Sequence, residues 1–94
     1  MAVVGVGRWV LHLPGCRSLK EKRSVVRGLR DRMISRFHVS ASETDHQDRA
    51  AMAEITAAVA APDRRHAERV VTKLDAFVRS DPRAQVIESE TAFF

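Results

Sequence analysis

Twice along these 94 residues the apolar spacing passes from a strand-like pattern to a helical stripe and back. That order constrains the fold more than any other feature of the chain. Val3, Val4, Val6, Trp9, Val10, Leu11 and Leu13 open it, with apolar side chains on both faces, as a central strand requires. Pro14 and Gly15 end the run. Ser18 and Glu21 stand at capping-box spacing, where each side chain can satisfy a free backbone donor at a helix start. Leu19, Val25, Val26, Leu29, Met33 and Phe37 then fall in one broad stripe at helical spacing, which is the face a core would take. From Phe37 the period becomes two. Phe37, Val39 and Ala41 point one way and His38, Ser40 and Ser42 the other, so residues 37–44 read as a half-buried strand.

A strand around Met52–Ala61 follows, with Ile55, Ala57 and Val59 on one face. Pro62 and Asp63 open a second helix, with Asp63 as N-cap. Its stripe is Ala67, Val70, Val71, Leu74, Phe77 and Val78, and Asp81-Pro82 stops it. A last strand covers roughly residues 84–91, and Ala92-Phe93-Phe94 forms an apolar tail. The order βαββαβ, with right-handed crossovers, predicts an α+β ferredoxin-like fold: a single domain over residues 1–94, with two helices on one face of a four-stranded antiparallel sheet. The opposite sheet face is then uncovered. Either Trp9 and Leu11 or Val4, Val6 and Val10 must sit on it, which favours a partner there, a second copy of the chain included.

The formal charge of +4 is unevenly spread. Residues 17–36 hold eight bases against Glu21 and Asp31 alone, so this segment carries +6 while the rest of the chain carries −2. Lys20, Arg23, Arg27 and Arg30 recur three and four apart within one quadrant of the predicted helix. Like charges at that spacing cost a few tenths of a kcal/mol per pair in an isolated helix. A face that is only wet usually interleaves acids, as the second helix does with Glu68 and Asp75 among Arg65, Arg69 and Arg79. The competing explanation is a solvated face, because Arg is a good helix former and exposed charge keeps a small domain dispersed. The asymmetry favours an anionic partner, most simply RNA phosphate, contacted by Arg17, Lys20, Arg23, Arg27 and Arg30. Lys22 differs from these, since it falls on the apolar stripe. Its stem packs there, with the ammonium reaching the surface or a carboxylate such as Glu43.

Asp45, His46, Gln47 and Asp48 form the second candidate. Such side chains can ligate a metal or exchange protons, but their spacing matches no established metal signature. A hydrogen-bonded turn or a contact loop fits better, and a small metal-dependent hydrolase is the weakest reading. His12, His38 and His66 are scattered. Cys16, the only cysteine, follows a turn with no His or Asp placed beside it, so an internal disulfide is excluded and a reducing cytoplasm fits. The N-terminus reads as a strand rather than a leader peptide, and no segment is long and apolar enough for a membrane span. No catalytic residue, metal or cofactor is assigned.

The stretches LHLPGCRSLKEKRSVVRGLRDRMISRF, VSASETDHQD and APDRRHAERVV, in this order, resemble the YlxP-like family, a bacterial domain of unknown function. Cys16 falls at a variable position of that pattern, and AAMAEI after the DHQD loop is richer in Ala than the family's usual sequence. The resemblance implies a ferredoxin-like fold and no assigned reaction. Members often lie in gene clusters with translation factors and a cold-shock ribosome-binding factor, which implies a role in ribosome assembly or translation. Arg17 to Arg23 and Asp45 to Asp48 are the matched positions. Two functions therefore stand side by side. One is a non-enzymatic RNA- or ribosome-associated protein that reads phosphates rather than bases, since the chain has no Tyr and only Trp9 on its first strand for stacking. The other is an assembly module that dimerises through the open sheet face or the Phe93-Phe94 tail.

Overall fold

A computed structural model describes residues 1–94. The elements are β1 (Val3–His12), α1 (Leu19–Phe37), β2 (Ser40–Asp45), β3 (Met52–Ala61), α2 (Arg64–Arg79) and β4 (Gln85–Phe93). The strands form one antiparallel sheet in the order β2-β3-β1-β4, so the first strand in sequence lies inside the sheet and is paired on both sides. With α1 and α2 packed against it, this is the ferredoxin-like α+β arrangement.

The alternation within β1 decides which side chains the helices cover. Trp9 and Leu11, followed by Leu13, are buried beneath α1 and α2 with Ile55, Ala57 and Val59 of β3. Val4, Val6, Arg8, Val10 and His12 therefore face the open side, in register with Ala60, Ala58, Thr56, Glu54 and Met52. The indole of Trp9 lies back along its own strand, over Gly7. A Cβ on Gly7 would collide with the Trp9 ring, so any side chain there would displace it. The indole N–H donates to Asp75 Oδ1 of α2 at 2.9 Å, which satisfies the one polar atom this large core residue brings inside.

At the start of α1, Ser18 Oγ accepts from the Glu21 N–H at 3.1 Å, as expected. The Glu21 carboxylate reaches one residue further back than a standard box, accepting from the Arg17 N–H at 2.8 Å. Val26, Leu29 and Met33 bury the inner face, each contributing roughly 1.5–3 kcal/mol by burial. At the start of α2, the predicted cap is in place: Asp63 Oδ1 accepts from the His66 N–H at 2.8 Å.

Two boundaries differ from the sequence reading. Residues 37–44 are not one strand, because α1 runs through Phe37 and β2 begins at Ser40. Phe37 belongs to the helical stripe and packs edge-on against Phe77 of α2, with ring centroids 5.4 Å apart. The reversal falls on His38, in the left-handed region at φ 55°, whose N–H still bonds the Ile34 carbonyl. Nor is the C-terminus a free tail. β4 runs to Phe93, and Phe94 exchanges backbone hydrogen bonds with Val4 at 2.8 and 2.9 Å. Phe93 turns inward beneath Arg64, whose guanidinium lies 4.5 Å from the ring centroid, and only Phe94 projects.

Candidate nucleic-acid interface

The eight bases of residues 17–36 divide by what they touch. Lys22 is fully buried. Its Nζ donates to the His46 carbonyl at 2.6 Å and the Met52 carbonyl at 3.1 Å. It also pairs with Glu43 Oε2 at 3.0 Å, an ion pair without hydrogen-bond alignment. The expected Glu43 partner is therefore present, and the ammonium never reaches solvent. Arg32 bonds Asp81 Oδ2 at 3.4 Å, and Arg36 lies 5.0 Å from the Phe77 ring centroid. Arg30, one of the predicted contact residues, pairs with its neighbour Asp31 at 3.0 Å. Arg17, Lys20, Arg23 and Arg27 are exposed and form no ion pair within the protein.

Helical spacing sets these cations in adjoining rows, Arg23–Arg27–Arg30 beside Lys20–Ser24–Gly28–Asp31. Between the rows runs a shallow depression of about 640 Å³ lined by Lys20, Arg23, Ser24, Arg27, Gly28 and Asp31. Three uncompensated cations border it, and its single carboxylate is already held by Arg30. Such a surface attracts anions by forked and point contacts to oxygen.

The DHQD segment is a turn built around the buried lysine. Asp45 ends β2, and its Oδ1 accepts from the His46 N–H at 2.7 Å. His46 takes the left-handed conformation at φ 62°, and its carbonyl accepts from both Lys22 Nζ and the Arg49 N–H. Gln47 Nε2 donates to the Glu43 carbonyl at 3.4 Å, while Asp48 is exposed. Asp45, His46 and Asp48 do not converge, and no three His, Cys, Asp or Glu side chains in the protein are grouped to hold a metal ion. The two matched sequence motifs are thus halves of one structural unit, with Lys22 of the first motif gripping the backbone of the second.

On the open face, Arg8 bonds Glu54 at 2.7 Å and Glu90 at 2.8 Å, with Glu88 at 3.5 Å. The Glu54 hydrogen bond, then that of Glu90, holds the guanidinium above its ordinary value. Thr44 extends the network to Glu54 and Thr56. Three carboxylates surround one base, so this face is acidic where α1 is basic. Sequence inspection had no means of finding the cluster. Arg8 stands 46 residues from Glu54 and 82 from Glu90, and only strand register joins them. Cys16 is half-buried in a turn whose shallow pocket also includes Pro14, Gly15, Val25 and Arg83. No helix is long and apolar enough to cross a membrane.

The architecture is shared with the de novo designed protein Foldit4, at 15% identity and a TM-score of 0.55, over 100% of this chain and 97% of that one. SnoaB, a cofactor-independent oxygenase from Streptomyces nogalater solved in mutant form, aligns at 15% identity and a TM-score of 0.46, over 99% of this chain and 90% of that one. Rv0793 from Mycobacterium tuberculosis aligns at 15% identity and a TM-score of 0.47, over 100% and 93%. At such identities the likeness concerns the fold alone. No curated protein matches the sequence. The family model described as a protein of unknown function, DUF503, matches residues 4–91, nearly the whole of the domain just described, and the chain belongs to that family.

Proposed function

We infer that this protein is a non-enzymatic cytoplasmic factor that docks on RNA, most simply on a ribosomal subunit, through the exposed face of α1 and the turn before it. One observation carries the reading: Arg17, Lys20, Arg23 and Arg27 lie on one surface with no internal partner, while the other bases of the segment are engaged. Four phosphate contacts would make binding steeply salt-dependent, with affinity falling on the order of a hundredfold between 50 and 200 mM salt. Base reading is not required, because the buried Trp9 offers no stacking platform. The resemblance to the YlxP-like family supports a place in ribosome assembly or translation. The test is co-sedimentation with ribosomal subunits at low salt. Lys20→Glu, Arg23→Glu and Arg27→Glu together should abolish it while leaving the circular dichroism spectrum unchanged. Undiminished co-sedimentation of that variant would refute the reading.

A second reading rests on a different observation. Val4 is 39% exposed and Phe94 77% exposed, and they are paired at one end of the open sheet face. A homodimer would cover them. Because Arg8 and its three carboxylates occupy the middle of that face, the contact would be limited to the Val4–Phe94 end. Light scattering showing a monomer at high micromolar concentration would remove this possibility, and Phe94→Ser should weaken a dimer if one forms.

A further inference from the structure

Gly28 is the residue of the basic face that the fold does not explain. It lies well inside α1, where glycine is less favourable than alanine because the chain loses more freedom on folding. Backbone conformation does not call for it, since no glycine of the protein has positive φ. Packing does not call for it either. A Cβ at Gly28 would meet only Arg32 Nη1, at 3.6 Å, the movable end of a long side chain at ordinary contact distance. Gly7, by contrast, is required by the Trp9 ring.

What Gly28 does is keep the basic depression open. Ser24 stands one turn before it on the same row, so a low floor of two small residues separates Lys20 from Asp31, with Arg23 and Arg27 alongside. We propose that this floor is where the sugar-phosphate backbone of RNA comes closest to α1, with a phosphate held by Lys20, Arg23 and Arg27 and the strand lying over Gly28. The inference rests on the RNA reading above and specifies its point of contact. A side chain at position 28 would hold the polynucleotide off the helix and lengthen the reach of all three cations. Asp31, paired with Arg30, closes the far end of the depression and leaves no free cation there, so the phosphate is held at the Lys20–Arg27 end.

Gly28→Ala and Gly28→Gln test this with thermal unfolding and fluorescence anisotropy of a labelled RNA hairpin at 50 mM salt. Both substitutions should raise the thermal midpoint, because the helix gains a better former. Gly28→Gln should nonetheless weaken RNA binding roughly tenfold, and Gly28→Ala less. A lowered midpoint for Gly28→Ala would show that the fold needs the glycine and would overturn the proposal. So would Gly28→Gln binding RNA like the wild type. If the Lys20/Arg23/Arg27 reversal abolishes binding while Gly28→Gln does not, this inference alone falls. If the wild-type protein binds no RNA hairpin, the inference falls with the reading beneath it. Position-28-dependent binding of poly-glutamate in place of RNA would assign the depression to an acidic protein segment and also overturn the proposal.

Discussion

Lys22 is the residue on which the local structure most depends. A charge with no solvent access is tolerable only when it is compensated, and here two carbonyls accept from the ammonium while the Glu43 carboxylate balances its charge at 3.0 Å. Lys22→Met keeps the length of the stem but leaves the His46 and Met52 carbonyls without their donor and Glu43 without its counter-charge. Stability should fall by about 3–5 kcal/mol, read as a lower midpoint in urea, whereas Glu43→Gln should be milder because both carbonyl acceptors of Lys22 remain. A Lys22→Met midpoint equal to wild type would show that the burial is not structural. Gly7 makes a second prediction at this scale. Gly7→Val places atoms where the Trp9 ring lies, and should cost about 1–3 kcal/mol. The lone tryptophan reports the displacement directly, through a red-shifted emission.

Within α1, the inner face and the outer face are governed by different requirements. The inner face is fixed by Val26, Leu29, Met33 and the buried lysine, and its start by the Ser18 cap. Ser18→Ala should lose about 1 kcal/mol. The outer face supports nothing inside the protein. Arg23→Ala and Arg27→Ala should therefore leave stability within about 0.5 kcal/mol of wild type, or raise it slightly by relieving like-charge repulsion. Urea titrations of the three variants separate the cases. Destabilisation by the arginine variants comparable to that of Ser18→Ala would mean that the outer face has a structural role. α2 is mixed: Arg64 pairs with Glu68 and Arg79 with Asp75, each four residues apart, while Arg65, Arg69 and Lys73 are exposed and form no ion pair.

Across the whole molecule, Asp81 joins the turn after α2 to α1. It is 9% exposed and accepts from Arg83 at 2.8 Å and Arg32 at 3.4 Å. The Arg83 hydrogen bond holds its carboxyl below the usual range, outweighing the opposing effect of burial. A carboxyl depressed in the folded state binds protons more readily when unfolded. Its contribution is therefore fully present above the ordinary carboxylate value near ~4 and is lost as pH falls through the lower folded value. Wild-type stability should decline from about pH 4 downward. Asp81→Asn should be less stable at neutral pH and show a shallower acid dependence. Equal acid profiles for the two proteins would rule Asp81 out as a source of the loss. Charge is also segregated at this scale. The molecule is an elongated slab of 45 × 21 × 19 Å, with the row of unpaired cations Lys20, Arg23 and Arg27 on α1 and the Arg8–Glu54–Glu88–Glu90 cluster on the opposite, open face.

The order of elements, both N-caps and the basic stripe were legible in the sequence because each depends on residues within one or two helical turns or strand repeats. Ser18 and Glu21 meet across one turn, and the apolar stripe of α1 declares its inner face by spacing alone. Even the Lys22–Glu43 pair could be anticipated, since a base on an apolar stripe demands a buried partner. The boundary at Phe37 could not, because that residue satisfies both periods and only packing against Phe77 selects the helix. Tertiary structure alone decided that Arg32 is held: it looks like Arg23 and Arg27 in the chain, but folding brings Asp81 to it, whereas Arg30 is paired by its own neighbour Asp31. Tertiary structure alone assembled Arg8 with its three glutamates, and it alone showed that Gly7 is imposed by an indole while Gly28 is imposed by nothing inside the protein. The physical reason is the same in each case. Periodicity records which way a side chain faces along its own element, whereas ion pairing and steric room depend on what chain folding brings opposite it.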